Sequence, residues 1–166
     1  IWRESDRFDE FEGEMFTFKN RDDQDMCLAP THEEPMAEMV RNTVRSRGNL
    51  PLLTYQIGKK YRDEHARNGL LRTKEFEMKD AYSFHTSEEA LDEMYDRIRE
   101  SYINIFERLG VEYAIVDADP GAMGGTGSEE FQAPADIGSD EIKICTNDDC
   151  RWGSKEMEVS TCEECS

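Results

Sequence analysis

Residues 53–84 read LTYQIGKKYRDEHARNGLLRTKEFEMKDAYSF and contain two runs in which apolar and polar side chains alternate. The apolar positions are Leu53, Tyr55, Ile57 and Tyr61 in the first run, and Phe76, Met78, Tyr82 and Phe84 in the second. A period of two is typical of strands. The stretch between the runs, 64–73, is mostly polar and contains Gly69. We therefore predict an antiparallel hairpin with a long loop.

The sequence before this hairpin predicts a second, shorter hairpin and a helix. Residues 15–19 and 25–29 have strand patterns and are joined by a polar stretch. Thr31 and Glu34 have the spacing of a capping box, and apolar residues then recur at every fourth position. The pattern predicts a helix that begins near Thr31 and ends at Gly48.

The sequence after the hairpin predicts a long amphipathic helix. Thr86 and Glu89 have capping-box spacing, and one apolar stripe follows them as far as Gly110. Residues 111–116 and 129–133 are weaker strand candidates. This order of elements favours an α+β fold, an antiparallel sheet with flanking helices.

Length and charge restrict the class of protein. The 166 residues carry 38 acidic and 20 basic side chains, a net charge of −18, and 37% are hydrophobic, enough for a core. The apolar runs are far shorter than the roughly 20 residues that span a bilayer, which predicts a soluble, cytoplasmic protein with no membrane partner. Because an acidic surface repels polyanions, a phosphate site has to be local. The window 59–80 holds seven basic against five acidic side chains and is the candidate region.

The ends of the sequence suggest a piece of a longer chain. It starts at Ile1 and stops just after Cys165 without a closing helix or strand pattern. We expect one domain over 1–140 and, over 141–166, the truncated start of a cysteine-rich region.

The spacing along the predicted hairpin brings together side chains of the kinds that bind ATP. Arg62 and Glu64 are two residues apart and share a face of the first strand. Arg72, Phe76 and Asp80 follow one another at intervals of four and share a face of the second strand. Guanidinium groups suit phosphate oxygens, an aromatic ring suits a purine, and a carboxylate accepts from an exocyclic amine. The alternative is a buried Phe76 with salt-bridged neighbours.

The order of motifs resembles that of a known family. Residues 61–64 (YRDE) and 69–84 (GLLRTKEFEMKDAYSF) resemble motif 2 of the class II aminoacyl-tRNA synthetases, at about 55–84, in the bacterial-type prolyl-tRNA synthetase form. Residues 1–8 (IWRESDRF) and 27–34 (CLAPTHEE) are similar to the stretch between motifs 1 and 2 in those enzymes. Residues 124–131 (GGTGSEEF) are similar to their Gly-Gly-Ser segment. The resemblance implies a partial class II catalytic core over 1–140, followed over 141–166 by the truncated, cysteine-rich start of an insertion or editing region.

The resemblance also implies a role for each matching residue of motif 2. Arg62 would hold the α-phosphate of ATP and is the implied catalytic residue. Glu64 would lie near the adenine amine, Arg72 would contact the γ-phosphate, and Phe76 would stack on adenine. Neither step of the implied reaction requires a protein nucleophile.

The amino acid would be recognised outside motif 2. Thr31 and Glu33 would form a loop that closes on proline, and Asp80 is also implied in substrate binding. This loop, with the run 79–82 (KDAY), separates the prolyl enzymes from threonyl- and seryl-specific relatives that share motif 2.

The implied activity is ATP-dependent activation of proline and its transfer to tRNA(Pro), with Mg²⁺ and a homodimer of the full-length enzyme. Motif 3 and nearly all of motif 1 are missing, so we expect this segment to be inactive alone. The alternative is a non-catalytic synthetase-like protein that binds tRNA or a partner and carries a zinc module.

Four of the five cysteines follow position 140. Cys145 and Cys150 are separated by four residues, Cys162 and Cys165 by two, and eleven residues lie between the pairs. Two close thiol pairs suit a tetrahedral structural zinc site, although the first gap is wider than the usual two. The alternative is unpaired thiols.

Overall fold

The computed structural model describes residues 1–11, 13–121, 125, 127–147 and 149–165. The chain divides into two compact units, Ile1–Asp96 and Arg97–Ser166. The elements are β1 (Thr17–Lys19), β2 (Asp25–Cys27), α1 (Glu33–Thr43), β3 (Leu52–Tyr61), β4 (Glu75–Phe84), α2 (Glu88–Leu109), β5 (Ala114–Asp117), β6 (Glu129–Gln132), β7 (Lys143–Ile144) and β8 (Trp152–Ser154), with a 3₁₀ turn at Arg47–Asn49. This mixture of helices and mainly antiparallel strands confirms the predicted α+β class.

The predicted central hairpin is the largest sheet element of the first unit. β3 and β4 are antiparallel over ten residues each, from the pair Leu52 and Phe84 to the pair Tyr61 and Glu75. This register places even-numbered residues of both strands on one face, where they are at least half-buried. The odd-numbered face is open, and Tyr55 and Ile57 on it are 66% and 64% exposed. The covered face of β3 is thus the one that reads as polar in sequence.

The first unit has its buried apolar cluster beside the shorter hairpin, β1–β2. Trp2, Phe11 and Met15 form this cluster, and the partly buried Phe8 and Cys27 pack against it. The Trp2 and Phe11 rings meet edge to face, with centroids 5.2 Å apart. The segment before β1 is therefore fixed to the hairpin by aromatic packing.

Helix α1 differs from its prediction at both ends. It begins at Glu33 with His32 as N-cap and without a side-chain cap hydrogen bond, so the predicted Thr31–Glu34 capping box is wrong. The Thr31 hydroxyl instead lies 3.5 Å from the hydroxyl of Tyr82. The helix ends at Thr43, before Gly48, because the backbone of Val44 is extended.

The second unit contains a four-stranded sheet in the order β6-β5-β8-β7. β5 pairs antiparallel with β6 and parallel with β8, and β8 pairs antiparallel with β7. Phe106 of α2 stacks on Phe131 of β6 with centroids 5.5 Å apart, which covers this sheet with an aromatic contact. Since β7 and β8 extend the sheet of β5, the segment after residue 140 packs with the residues before it. The expected boundary near 140 stays a prediction.

Gly153 is required where β8 lies between its two neighbours. A Cβ at this position would come within 3.1 Å of side-chain carbons of Ala114 and Val116, and within 3.2 Å of the Lys143 carbonyl oxygen. A larger residue would therefore push β8 away from β5 or β7.

Within the described residues, neither α-helix is long and apolar enough to cross a lipid bilayer.

Helix α2 is capped one residue later than predicted. Its first residue is Glu88, and the Ser87 hydroxyl accepts a hydrogen bond from the Ala90 N–H at 3.3 Å. The residue that caps the helix is therefore Ser87 and not Thr86, although Glu88 and Glu89 still place negative charge in the first turn.

We predict that Ser87→Ala destabilises the chain and Thr86→Ala does not. Loss of the N-cap acceptor should lower the free energy of unfolding by about 1 kcal/mol, whereas the exposed Thr86 side chain makes no cap contact. Urea denaturation followed by circular dichroism compares the two variants. Equal destabilisation by both would contradict the assignment of the cap.

Candidate functional site

A fully buried lysine lies on the covered face of the β3–β4 hairpin, at the next-to-last residue of β3. The Lys60 side chain has no exposed surface, and its Nζ lies 2.9 Å from Oδ1 of Asp80. The Tyr82 hydroxyl donates a hydrogen bond to the other oxygen of this carboxylate. A buried ammonium needs such a partner because an unpaired buried charge is strongly destabilising. Lys60, Asp80 and Tyr82 therefore form one polar network across the two strands.

The protonation states of this network follow from its contacts. Burial raises the pKa of Tyr82 to about 12, and its hydrogen bond to Asp80 acts in the same direction. Burial alone would raise the pKa of Asp80, but hydrogen bonds from Tyr82 and Lys60 outweigh it and hold that pKa below its usual range. At neutral pH, Asp80 is therefore a carboxylate and Tyr82 a neutral donor.

The network holds the loop that precedes α1. The buried Thr31 places its hydroxyl 3.5 Å from that of Tyr82, and the His32 N–H donates to the Tyr82 oxygen at 3.3 Å. Burial, followed by the positive charge of Lys60, lowers the pKa of His32. The Tyr61 N–H donates to the Ala29 carbonyl at 3.1 Å, which fixes the same loop to the end of β3.

Arg62 and Phe76 lie next to this loop. The Arg62 N–H donates to the Lys74 carbonyl at 2.9 Å and so continues the hairpin beyond β3. Its guanidinium lies over the Phe76 ring, 5.5 Å from the centroid, and its Nε donates to the Pro30 carbonyl at 3.3 Å. The Arg62 guanidinium and the Phe76 ring therefore lie together beside Pro30, the residue before Thr31.

Glu33 is oriented from the first turn of α1 by an arginine distant in sequence. Arg7 donates to both Glu33 and Glu34, with 2.8 Å between Nη1 and the Glu34 Oε1. Burial would lower the pKa of Arg7, but the hydrogen bond to Glu33 and the two carboxylate charges raise it above its ordinary value. Glu33 thus has a fixed position, although part of its charge is balanced by Arg7.

Glu64 and Arg72 pair with each other in the loop between the strands. The Arg72 Nε lies 2.9 Å from the Glu64 Oε2. The prediction that Arg72 shares a strand face with Phe76 and Asp80 is wrong, because β4 begins only at Glu75 and Arg72 forms an isolated bridge with Arg67. Phe76 and Asp80 do share the covered face of β4.

The structure therefore brings four of the predicted residues into one connected set of contacts. Asp80 reaches Thr31 through Tyr82, and the Arg62 that lies over Phe76 also holds the carbonyl before Thr31. Glu33 follows Thr31 by two residues in the sequence, whereas Glu64 and Arg72 contact each other.

Sequence reasoning missed Lys60 and Arg7, and it considered Tyr82 only within the run 79–82 and as an apolar strand position. Given the hairpin register, Lys60 could have been added to the site, because it lies on the same face as Phe76 and Asp80. Arg7 carried no comparable signal, because its pairing with α1 depends on how the first residues of the chain pack.

The second unit brings the four late cysteines together. The Sγ atoms of Cys145, Cys150, Cys162 and Cys165 all lie within 4.8 Å of one another. Of the glycine-rich segment that follows α2, Gly124 and Thr126 lie outside the described residues, and β6 begins at Glu129.

These features identify a class of protein. A family model described as "tRNA synthetase class II core domain (G, H, P, S and T)" matches residues 16–166, so the chain belongs to the class II tRNA synthetase core-domain family. Within that family, it is 50% identical over 146 residues to the proline–tRNA ligase of Thermotoga maritima. It is 46% identical over 161 residues to the proline–tRNA ligase of Treponema denticola. The expected likeness to prolyl-tRNA synthetases is confirmed.

The alignments cover 87% and 96% of this chain but only 25% and 27% of the two relatives. The chain thus spans about a quarter of the length of the relatives it matches. Among solved structures, it is similar to the crystal structure of the RNA binding domain of threonyl-tRNA synthetase from Cryptosporidium parvum Iowa II, with a TM-score of 0.60. That match is 24% identical and covers 70% of this chain and 29% of the other, and it supports the fold alone.

We predict strong energetic coupling between Lys60 and Asp80. Lys60→Met and Asp80→Asn should each lower the free energy of unfolding by about 3–5 kcal/mol, because each leaves a buried partner unpaired. The double variant should lose less than the sum of the two single variants. The measurement is urea denaturation in a Trp152→Phe background, where Trp2 fluorescence reports on the first unit alone. Additive single effects would contradict the pairing.

The contribution of Asp80 should also depend on pH. Its pKa is lower in the folded state than its usual value of about 3.9, so the unfolded chain binds this proton more tightly. The stabilisation is fully present above that value and is lost as pH falls through the lowered folded pKa. The difference between wild type and Asp80→Asn should thus be constant between about pH 5 and 8 and shrink below about pH 4.

Proposed function

We propose that this chain is the part of a proline–tRNA ligase that binds ATP through its β3–β4 hairpin and proline through the loop before α1. The observation that carries the proposal is the half-buried Arg62 guanidinium over the Phe76 ring. The near-half identity to proline–tRNA ligases supports the same function. Tests of activity belong to the full-length protein, since the relatives are about four times longer.

Arg62 is suited to the α-phosphate because its charge is available. Among the described residues, no carboxylate lies within ion-pair distance of Arg62, in a chain with a net charge of −18. Its Nε bond goes to the neutral carbonyl of Pro30, which orients the guanidinium without neutralising it. A preorganised, uncompensated cation is what a developing phosphorane charge requires.

The remaining ATP contacts use the ring and the loop ion pair. Phe76 places an aromatic ring for adenine next to the guanidinium that would hold the phosphate. Arg72 would exchange Glu64 for the γ-phosphate, and the released Glu64 would accept from the adenine amine. Mg²⁺ would enter with ATP as part of the substrate.

Thr31, Glu33 and Asp80 would recognise proline. The secondary ammonium of the ring needs a carboxylate acceptor, and Glu33 is held at the start of α1 by Arg7. The Thr31 hydroxyl is held by Tyr82, whose own position depends on Asp80.

The proposed reaction has two steps and needs no protein nucleophile. An oxygen of the proline carboxylate bonds to the α-phosphorus, and the bond from this phosphorus to pyrophosphate breaks, giving prolyl adenylate. A hydroxyl of the terminal adenosine of tRNA(Pro) then takes the prolyl group, releasing AMP and the hydroxyl proton. The protein supplies positioning and charge stabilisation. A homodimer of the full-length enzyme is part of the proposal.

We predict that Arg62→Ala reduces proline-dependent ATP–pyrophosphate exchange in the full-length protein by a hundredfold or more, on the order found when one preorganised donor is removed. Arg21→Ala is the matched control, because Arg21 is exposed in the turn between β1 and β2. It should keep the wild-type rate. Exchange should be strongest with proline when threonine, serine and alanine are compared.

Two results would overturn the proposal. Exchange that survives in Arg62→Ala would remove this residue from the site. A folded full-length protein without exchange for any amino acid would favour the non-catalytic synthetase-like protein that binds tRNA or a partner.

We predict that Glu33→Gln raises the KM for proline about tenfold or more and leaves the KM for ATP within about twofold. The reason is the loss of one charge-assisted hydrogen bond to the ring nitrogen, worth about 1.5–3 kcal/mol. Glu38→Gln is the control on the same helix, where Glu38 pairs with Arg41 and is assigned no substrate. A parallel rise in both KM values would indicate a general disturbance of the loop.

A further inference from the structure

The four cysteine sulfurs of the second unit are spaced like the ligands of one tetrahedral metal ion. The Sγ atoms of Cys145 and Cys165 are 3.5 Å apart, those of Cys150 and Cys162 are 3.7 Å apart, and all four lie within 4.8 Å of one another. Sulfurs that bind one zinc ion at about 2.3 Å in a tetrahedron are separated by about 3.8 Å. Both close pairs are longer than the roughly 2.05 Å of a disulfide bond.

Strand pairing places the first two cysteines without help from a metal. Cys145 directly follows β7 and Cys150 lies two residues before β8. The two strands pair through Lys143 with Ser154 and Ile144 with Gly153, and the Cys145 N–H donates to the Trp152 carbonyl at 3.0 Å. The four-residue gap between Cys145 and Cys150 therefore falls between β7 and β8, and both sulfurs lie at the same end of this hairpin.

A backbone N–H group points at one of these sulfurs. The Asn147 N–H donates to the Cys145 sulfur at 3.5 Å. Such oriented dipoles stabilise negative sulfur.

As far as the structure describes it, the segment after β8 has no strand pairing and few contacts with the sheet, among them the ion pair of Lys155 with Glu130 at 2.9 Å. Residues 155–165 contain no helix or strand, and the Lys143 ammonium donates to the Val159 carbonyl at 2.7 Å. Cys162 and Cys165 are at its end, opposite the β7–β8 connection. A shared metal ion would close this segment onto the sheet, as structural zinc does in small units with a limited core.

We propose that Cys145, Cys150, Cys162 and Cys165 bind one Zn²⁺ in a four-thiolate site that fixes residues 155–165 to the β7–β8 hairpin. Four protein ligands leave no open coordination position, so the site is structural and takes no part in proline activation. The proposal is independent of the ATP site on β3 and β4.

The test uses the 166-residue chain purified without chelator, with native mass spectrometry and metal analysis. We expect one zinc ion per chain. Cys162→Ser and Cys150→Ser should lose it, whereas Cys27→Ser, the matched control on β2, should retain it. Cobalt exchanged into the wild-type chain should show the strong thiolate charge-transfer and visible bands of a tetrahedral sulfur site.

A second pair of measurements separates loss of the metal from loss of folding. Cys162→His keeps a zinc ligand and should restore metal binding that Cys162→Ser lacks. Removal of zinc by a chelator should raise the rate of tryptic cleavage after Lys155 about tenfold or more, and added zinc should reverse it. Cleavage after Arg21, in the other unit, should not change.

Three outcomes would overturn the proposal. These are a zinc-free chain with four free thiols in the cluster, a chain with two disulfides that is lighter by four hydrogen atoms, or zinc that persists in both serine variants.

Discussion

The first unit depends on one constraint: an ammonium group with no exposed surface has to be paired. Lys60 meets this constraint through Asp80 on the opposite strand, and Asp80 in turn is hydrogen-bonded by Tyr82. Because the Tyr82 hydroxyl also contacts Thr31 and His32, the same network that neutralises the buried charge positions the loop before α1. The buried ion pair on the hairpin and the position of the loop are therefore linked through Tyr82.

This arrangement is also compatible with the phosphate site that we propose in a strongly acidic chain. The charge of Lys60 is neutralised by Asp80. Arg72 and Arg7 are also paired with carboxylates. Arg62 differs because its partners are an aromatic ring and a carbonyl oxygen, neither of which cancels its charge. The proposed phosphate contact thus relies on one oriented guanidinium, not on the net charge of the window around it.

The sequence could predict elements whose signal is periodic, and it missed features that depend on packing. The alternation in 53–61 and 76–84 predicted β3 and β4 closely, and these residues carried part of the resemblance that predicted the family. Periodicity could not tell which face of β3 is covered, since its apolar residues lie on the exposed side. The capping box at Thr31 failed because a tertiary partner, Tyr82, competes for the hydroxyl. The prediction for Arg72 failed because β4 begins only at Glu75, so the alternation of side-chain faces does not extend back to Arg72.

The exposed face of the β3–β4 hairpin has a consequence for the behaviour of the chain in solution. Leu53, Tyr55 and Ile57 present a continuous apolar strip on a two-stranded sheet. Such strips promote self-association, whereas a net charge of −18 keeps molecules apart by mutual repulsion. Repulsion is screened as ionic strength rises, with a Debye length near 8 Å at about 0.15 M salt, but contact between apolar strips is not. The colloidal stability of the isolated chain is accordingly a function of salt, and added electrolyte drives it toward aggregation.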